Sequence, residues 1–326
     1  MDYPAAAKIA EAIKAARRVV LVTHAEPDGD AVGSVLGLAH ALRARGRDAA
    51  PWPMNPAPPR YRFLPGFDEL ENGEVPAPRD GDVVVALDGA DATRLPAGLE
   101  AFAAAGAVLV NVDHHASNAG FGALDWVEPA APATAAQVWV VLREMGYDVT
   151  PASALCLYVG LVTDTGNFTY SNTNRWAFDM AADLVSRDVS PSDVERELYR
   201  RYPLPYMNVL GGALAGMRRR GAVIYMTVSR EDLARAGARI EDTEGLVDFA
   251  RRVEGARVGV LFREVEGGAR VSFRAAEELD VSGLAVAYGG GGHPAAAGCF
   301  VAGQLEDVRE SVLAEVERWL NRKQRG

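Results

Sequence analysis

The chain has 326 residues, with 34 Lys and Arg against 44 Asp and Glu and a net charge of −10. Residues 1–185 hold 23 acids and 13 bases, and residues 186–326 hold 21 of each. This balance excludes a long basic groove for duplex or polymeric nucleic acid, and leaves a small phosphorylated substrate met by local cations.

The length predicts two domains. Cys156 and Cys299 make no disulfide framework. The N-terminus lacks the apolar region and cleavage pattern of a signal peptide, and no apolar run is long enough to span a bilayer. A cytoplasmic setting with no membrane partner is expected.

In chain order, residues 5–17 read as a helix. An apolar β-branched strand, 19–23, ends at His24. Residues 31–45 carry helical periodicity and stop at Gly46. Residues 51–80 are rich in proline and glycine and read as an extended loop. Residues 82–87 form a strand of the buried type ending at Asp88, and 107–112 another ending at Asp113. Helical patterns follow at 133–145, 152–163 and 174–186. Strands alternating with helices predict an α/β fold, a mostly parallel sheet with helices on both faces. Residues 1–185 are assigned to this domain and 186–204 to a linker. Residues 205–326 form a smaller C-terminal α/β domain: helix at 206–220, strand at 222–228, helix at 246–252, strands at 256–263 and 270–274, and a closing helix at 306–321.

The acids and histidines fall where strands end. His24, Asp28 and Asp30 lie in THAEPDGD, Asp88 ends VALD, and Asp113, His114 and His115 end the third strand. Asp164 closes a buried helical run. Ligands bind at the carboxyl ends of parallel strands, so one crevice collects these donors. Taken singly, an Asp after a strand is as often a helix cap or turn residue; the ordered set is what points to metal chemistry. So many carboxylates repel one another unless cations relieve them. The set is too large for one closed zinc site and suits two ions sharing a carboxylate. Its oxygen and imidazole donors favour Mn²⁺, with Mg²⁺ as the alternative. His40, inside a helix, reads as a packing or surface residue, as do Asp91, Asp125 and Glu128.

The second domain carries VSFR, which ends a strand at Arg274, and GGGGHPAAAG. The glycine run reads as a loop opening a helix, where backbone N–H groups approach an anion. Arg274 grips a phosphate through two N–H groups, and His293 reaches a phosphate or a nucleotide edge. Alone, such a run is more often a flexible turn.

Together, HAEPDGD, VALD, VDHH, LVTDTGNF, SFR and GGGGHPAAAG resemble the DHH phosphoesterase family with its C-terminal DHH-associated domain, over nearly the whole chain. The resemblance is strongest to the nanoRNase/pAp-phosphatase branch. It implies an active site in the interdomain cleft and hydrolysis of very short oligoribonucleotides and of 3′,5′-bisphosphonucleotides by water activated between two divalent cations. It assigns one cation to His24, Asp28 and a bridging Asp88, and the other to Asp30, Asp88, His114 and Asp164. Asp113 then supports His115, which faces the substrate, and Ser272, Arg274, Gly291, Gly292 and His293 contact it. Glu26 departs from the family pattern by adding a negative charge. The alternative is a cyclic-dinucleotide or linear-dinucleotide phosphodiesterase. A single-strand DNA exonuclease is disfavoured by the short acidic chain, a pyrophosphatase by SFR and GGGGH, and a non-catalytic nucleotide-binding regulator by the intact donor set. Duplex DNA is not an expected partner, and a homodimer is left open.

Overall fold

The computed structural model describes residues 3–323 apart from Glu26, Asn55, Arg200, Arg201, residues 276–278 and Pro294; the His293 side chain also lies outside the described residues. The chain divides into two compact units, Met1–Arg201 and Tyr202–Gly326. None of the described helices is long and apolar enough to cross a membrane.

The first unit is built on a five-stranded sheet of β1 (Arg18–Val22), β2 (Asp48–Pro51), β3 (Asp82–Leu87), β4 (Val108–Asp113) and β5 (Leu124–Val127). The order is β2-β1-β3-β4-β5, and every pairing is parallel. A parallel sheet covered on both faces needs strands without alternation. RVVLV and DVVVAL meet this requirement, and every residue of β1 and β3 is buried. Arg18 holds Asp82 through two guanidinium bonds of 2.9 and 2.6 Å at the amino ends of these strands, which fixes their register.

The larger core lies against α1 (Pro4–Ala15), α2 (Gly29–Ala44), α3 (Phe67–Asn72), and, after the short α4 (Leu99–Ala104), α5 (Thr134–Met145), α6 (Pro151–Asp164), α7 (Arg175–Val185) and α8 (Pro191–Tyr199). On the other face Val20, Val22, Val84 and Ala86 meet Trp52 and Phe102 of α4. Residues 186–204 include α8, whose Val194 and Leu198 join the first core.

Three glycines spaced by four set the distance between α2 and α6. A Cβ at Gly29 would fall 2.3 Å from the Thr163 hydroxyl, at Gly33 2.4 Å from the Cys156 carbonyl, and at Gly37 2.6 Å from Leu157. Glycine is a poor helix former, yet here its missing side chain lets two helix backbones touch.

The second unit has a six-stranded mixed sheet: β6 (Arg218–Arg220), β7 (Val223–Val228), β8 (Val258–Val265), β9 (Gly268–Ala275), β10 (Gly291–His293) and β11 (Ala296–Ala302), in the order β10-β11-β9-β8-β7-β6. Among the described residues of this sheet, β7 and β8 run parallel and the other pairs antiparallel. Of the helices α9 (Leu204–Ala215), α10 (Arg230–Ala236), α11 (Val247–Arg251), α12 (Ser282–Val286) and α13 (Leu305–Lys323), α12 and α13 pack on one face and α9 and α11 on the other.

The structure corrects three expectations. Residues 51–80 are not all loop: Phe67 and Leu70 are buried, which stabilises the single turn and a half of α3. The helix expected over 206–220 ends at Ala215, and the three arginines after it pair with β7 as an edge strand. The glycine run opens no helix. It forms β10, which pairs antiparallel with β11, because the small side chains of β11 alternate as a strand.

Candidate metal centre

Parallel strands bring their carboxyl ends to one edge, and each candidate donor of the first unit lies there. His24 follows β1, Asp88 follows β3, Asp113 ends β4, and His114 and His115 come next. Asp28 is the N-cap of α2; its Oδ1 accepts from the N–H groups of Asp30 and Ala31. Asp164 is the last residue of α6. The glycine contacts between α2 and α6 therefore set how far Asp28 and Asp30 stand from Asp164.

Ligand atoms of His24, Asp28 and Asp88 lie within 4.8 Å of one another; so do those of Asp30, His114 and Asp164, and those of Asp88, His114 and His115. Asp88 and His114 each belong to two groups. His24 Nε2 stands 3.8 Å from Asp88 Oδ2, and His114 Nε2 stands 3.6 Å from Asp88 Oδ1 and 3.7 Å from Asp164 Oδ2. These separations are too long for hydrogen bonds. They match ligand atoms around a common cation, which stand about 3 to 4 Å apart at ordinary bond lengths.

The electrostatics point the same way. Burial, and then the charge of Asp164, push Asp30 up to about 7. Burial and the neighbouring Asp30 charge raise Asp88 well above the usual range. Asp164 is raised mainly by burial, against the pull of His114. Two buried carboxylates and the half-buried Asp164, all resisting ionisation, together form a donor set whose charge a cation would neutralise. The protein contributes some compensation itself. The N-terminus of α5 lies beneath the cluster, where the N–H groups of Thr134 and Ala135 donate to Asp30 at 2.6 and 2.8 Å. The Thr134 hydroxyl donates to Asp88 at 3.1 Å. Asp88 also takes the left-handed conformation, with φ at 60°, a conformation that Asp tolerates better than most residues.

Asp113 and His115 behave differently. Asp113 Oδ1 receives His115 Nδ1 at 2.7 Å, and Oδ2 receives the Ala90 N–H at 2.8 Å and the Asn118 amide. Burial works against its charge, but the bonds from His115 and Asn118 outweigh burial and hold it below the ordinary carboxylate range. The Asp113 bond in turn raises His115. His115 is thus an oriented imidazole held more basic than a free one, with 31% of its side chain exposed.

Four supporting residues were not found by sequence reasoning: Thr134, Asn118, Asn172 and Arg94. Asn172 donates to Asp164 Oδ2 at 3.1 Å. Arg94 reaches His24 Nδ1 at 3.2 Å, and its carbonyl accepts from Ala25 N–H at 2.9 Å. An arginine six residues after VALD, on the turn leaving a donor strand, was the available signal. His40 lies outside the cluster and bonds the Pro65 carbonyl at 2.8 Å.

In the second unit, Gly291, Gly298 and Ser272 form one row across β10, β11 and β9. Arg274 lies on β9 and is paired through Nε with Asp248 at 3.0 Å. The Ser272 hydroxyl accepts from Arg263 at 2.7 Å. Gly292 has φ at 145°, and a Cβ there would fall 2.5 Å from the Ala296 carbonyl.

Residues 18–161 match the model of the DHH family, N-terminal domain, and residues 221–322 match that of the DHHA1 domain. The chain is 36% identical over 319 residues to the bifunctional oligoribonuclease and PAP phosphatase NrnA of Thermus thermophilus, covering 96% of this chain and 94% of that one. It is 27% identical over 303 residues to the protein of the same name from Bacillus subtilis, covering 92% and 93%. The fold is similar to that of an exopolyphosphatase-related protein from Bacteroides fragilis, with a TM-score of 0.85, 24% identity and 97% of each chain covered.

Proposed function

Because the chain belongs to the DHH family, we propose that it is a two-metal phosphoesterase. It hydrolyses very short oligoribonucleotides to 5′-mononucleotides and dephosphorylates 3′-phosphoadenosine 5′-phosphate. The names of relatives similar along nearly their whole length support this reading. The observation that carries it is the Asp88 carboxylate, which belongs to two candidate metal groups at once.

In this reading His24, Asp28 and Asp88 would hold one cation, and Asp30, Asp88, His114 and Asp164 would hold the other. Two Mn²⁺ ions, or Mg²⁺, would lower the pKa of water there and offset charge developing on the phosphoryl oxygens. Asp113 fixes the His115 ring and keeps Nδ1 protonated. As the oxygen of water bonds to phosphorus, His115 hands a proton to the leaving oxygen while its P–O bond breaks, so that it departs as an alcohol. Ser272, Arg274, Gly291, Gly292 and His293 take the nucleotide. Residues 1–185 form the catalytic domain, 186–204 the linker and 205–326 the substrate-binding domain.

The test is hydrolysis of RNAs of two to five nucleotides, 3′-phosphoadenosine 5′-phosphate, cyclic di-AMP and pyrophosphate with Mn²⁺. Release of 5′-mononucleotides that EDTA abolishes is expected. Cleavage confined to the cyclic dinucleotide or to pyrophosphate overturns the substrate assignment, and full activity in His114→Ala overturns the metal assignment.

A further inference from the structure

The strand register of the second unit lays out a surface that extends past Arg274. Along β9, Arg270, Ser272 and Arg274 alternate with the core residues Val271, Phe273 and Ala275. Along β11, Ala296, Gly298 and Phe300 likewise alternate with Ala297 and Cys299. Register sets Ser272 beside Gly298, and Arg270 between Arg263 of β8 and Phe300 of β11. The face therefore has a floor of small side chains with an arginine at each end.

The end away from Arg274 combines an aromatic face with unneutralised charge. Phe300 is 49% exposed. Its ring leans over Gly268, where an added Cβ would come within 2.9 Å of it. Beside it, Arg270 is exposed and makes no ion pair or side-chain hydrogen bond among the described residues. Arg263, across the strand, has a buried Nε without a partner. Burial first, then the charges of Arg270 and Arg274, lower its pKa, with Glu244 acting the other way. Two guanidiniums side by side favour an anion, and an open ring favours a base, because every base has a face to stack.

We infer that Arg270, Arg263 and Phe300 form a subsite for a further nucleotide of a single-stranded oligonucleotide. Phe300 stacks its base and the two arginines take its phosphate. The inference rests on the reading of Ser272 and Arg274 as substrate contacts. Four positions along a strand span roughly 14 Å. That is beyond a bisphosphorylated mononucleotide held at Arg274 and within reach of a longer strand. The subsite thus makes chain length a quantity that the second unit reads.

The experiment compares kcat/KM for tetraribonucleotide, diribonucleotide and 3′-phosphoadenosine 5′-phosphate in wild type, Arg270→Ala, Phe300→Ala and Phe300→Trp. Both alanine variants are expected to lower the tetranucleotide-to-bisphosphate ratio about ten-fold, mainly through KM, and tryptophan to restore it. Melting temperatures control for folding, since both side chains are exposed. A ratio unchanged in both alanine variants overturns the subsite while leaving the phosphoesterase reading intact. A wild type that cleaves none of the three overturns that reading instead. Fluorescence anisotropy of a labelled tetranucleotide then decides the subsite alone: weaker binding to Phe300→Ala supports it, and equal binding removes it.

Discussion

Asp113 and His115 sit within a shared set of bonds, yet their chemistry differs from that of the carboxylates around them. His115 has its pKa raised above the ordinary 6.5 by the Asp113 bond. As a proton donor it is active below that raised value, so kcat/KM is expected to fall on the alkaline side. His115→Ala is expected to lower kcat by 10²- to 10⁴-fold and to flatten that limb; a pH–rate profile that keeps the limb in the variant removes His115 from the role. Asp113→Asn frees the ring and is expected to move the limb toward lower pH. Arg94 makes a separate case. Its guanidinium only donates, so His24 Nδ1 accepts from it, and the neutral ring then carries its proton on Nε2, toward Asp88. A cation that takes Nε2 must displace that proton and break the Arg94 bond. Arg94→Ala is therefore expected to tighten Mn²⁺ binding a few-fold in calorimetric titration, and weaker binding contradicts this account. The donors at strand ends were legible because β-branched runs stop abruptly on acid or imidazole. Arg94, Asn118, Thr134 and Asn172 were not, because tertiary contacts deliver them: Asp30 meets Ala135 across 105 positions of chain.

At the scale of elements, strands β1 and β3 could be read almost to the residue, since a parallel strand buried on both faces leaves an uninterrupted apolar run, and β4 nearly so although Asn111 interrupts its apolar run. The short elements could not. β5, α3 and α4 owe their form to a few buried side chains such as Trp126, Phe67 and Phe102, and four to six residues carry too little periodicity to show it. The glycine run was read as an anion-binding helix start because glycine fits any tight turn; its pairing with β11 depends on residues after Pro294. The glycines of α2 were visible but unread, since GDAVGSVLG looks like a weak helix until α6 is placed against it. Gly33 is the strictest position, since its neighbours are the Cys156 carbonyl and the Gly160 amide of α6 rather than side chains. Gly33→Ala is expected to destabilise the protein by about 1–3 kcal/mol and to weaken metal binding by spreading Asp30 from Asp164. Denaturant unfolding with parallel Mn²⁺ titration checks both, and an unchanged affinity would show that the carboxylates do not depend on this spacing.

Each of the two units has core clusters of its own, and among the described residues the candidate metal groups all lie in the first unit. In the metal-free protein Asp30, Asp88 and Asp164 bind protons more readily than in an unfolded chain. Where the native state holds the extra protons, stability falls as pH rises. The window runs from about 4, the unfolded carboxylate value, through about 7, where Asp30 titrates. EDTA-treated protein is therefore expected to show a first-unit melting transition that drops between these limits, on the carboxylate contribution alone. Mn²⁺ at a hundred times its dissociation constant is expected to raise that transition by about 2.7 kcal/mol per site, leaving the second unit's transition in place. Scanning calorimetry with and without EDTA reads both; a metal-free transition that climbs with pH across this window contradicts the assigned shifts.

The seam between α2 and α6 has a thermal consequence. Side chains that fill a core hop between rotamers on warming, and the gaps they set loosen with them. At Gly33 there is no side chain to hop, and the neighbouring atoms are backbone. At that point the spacing of the two helices is therefore held by parts that soften only when the helices themselves unravel. The geometry of the donor set should hold on heating and then be lost together with the fold, as a step rather than a slope.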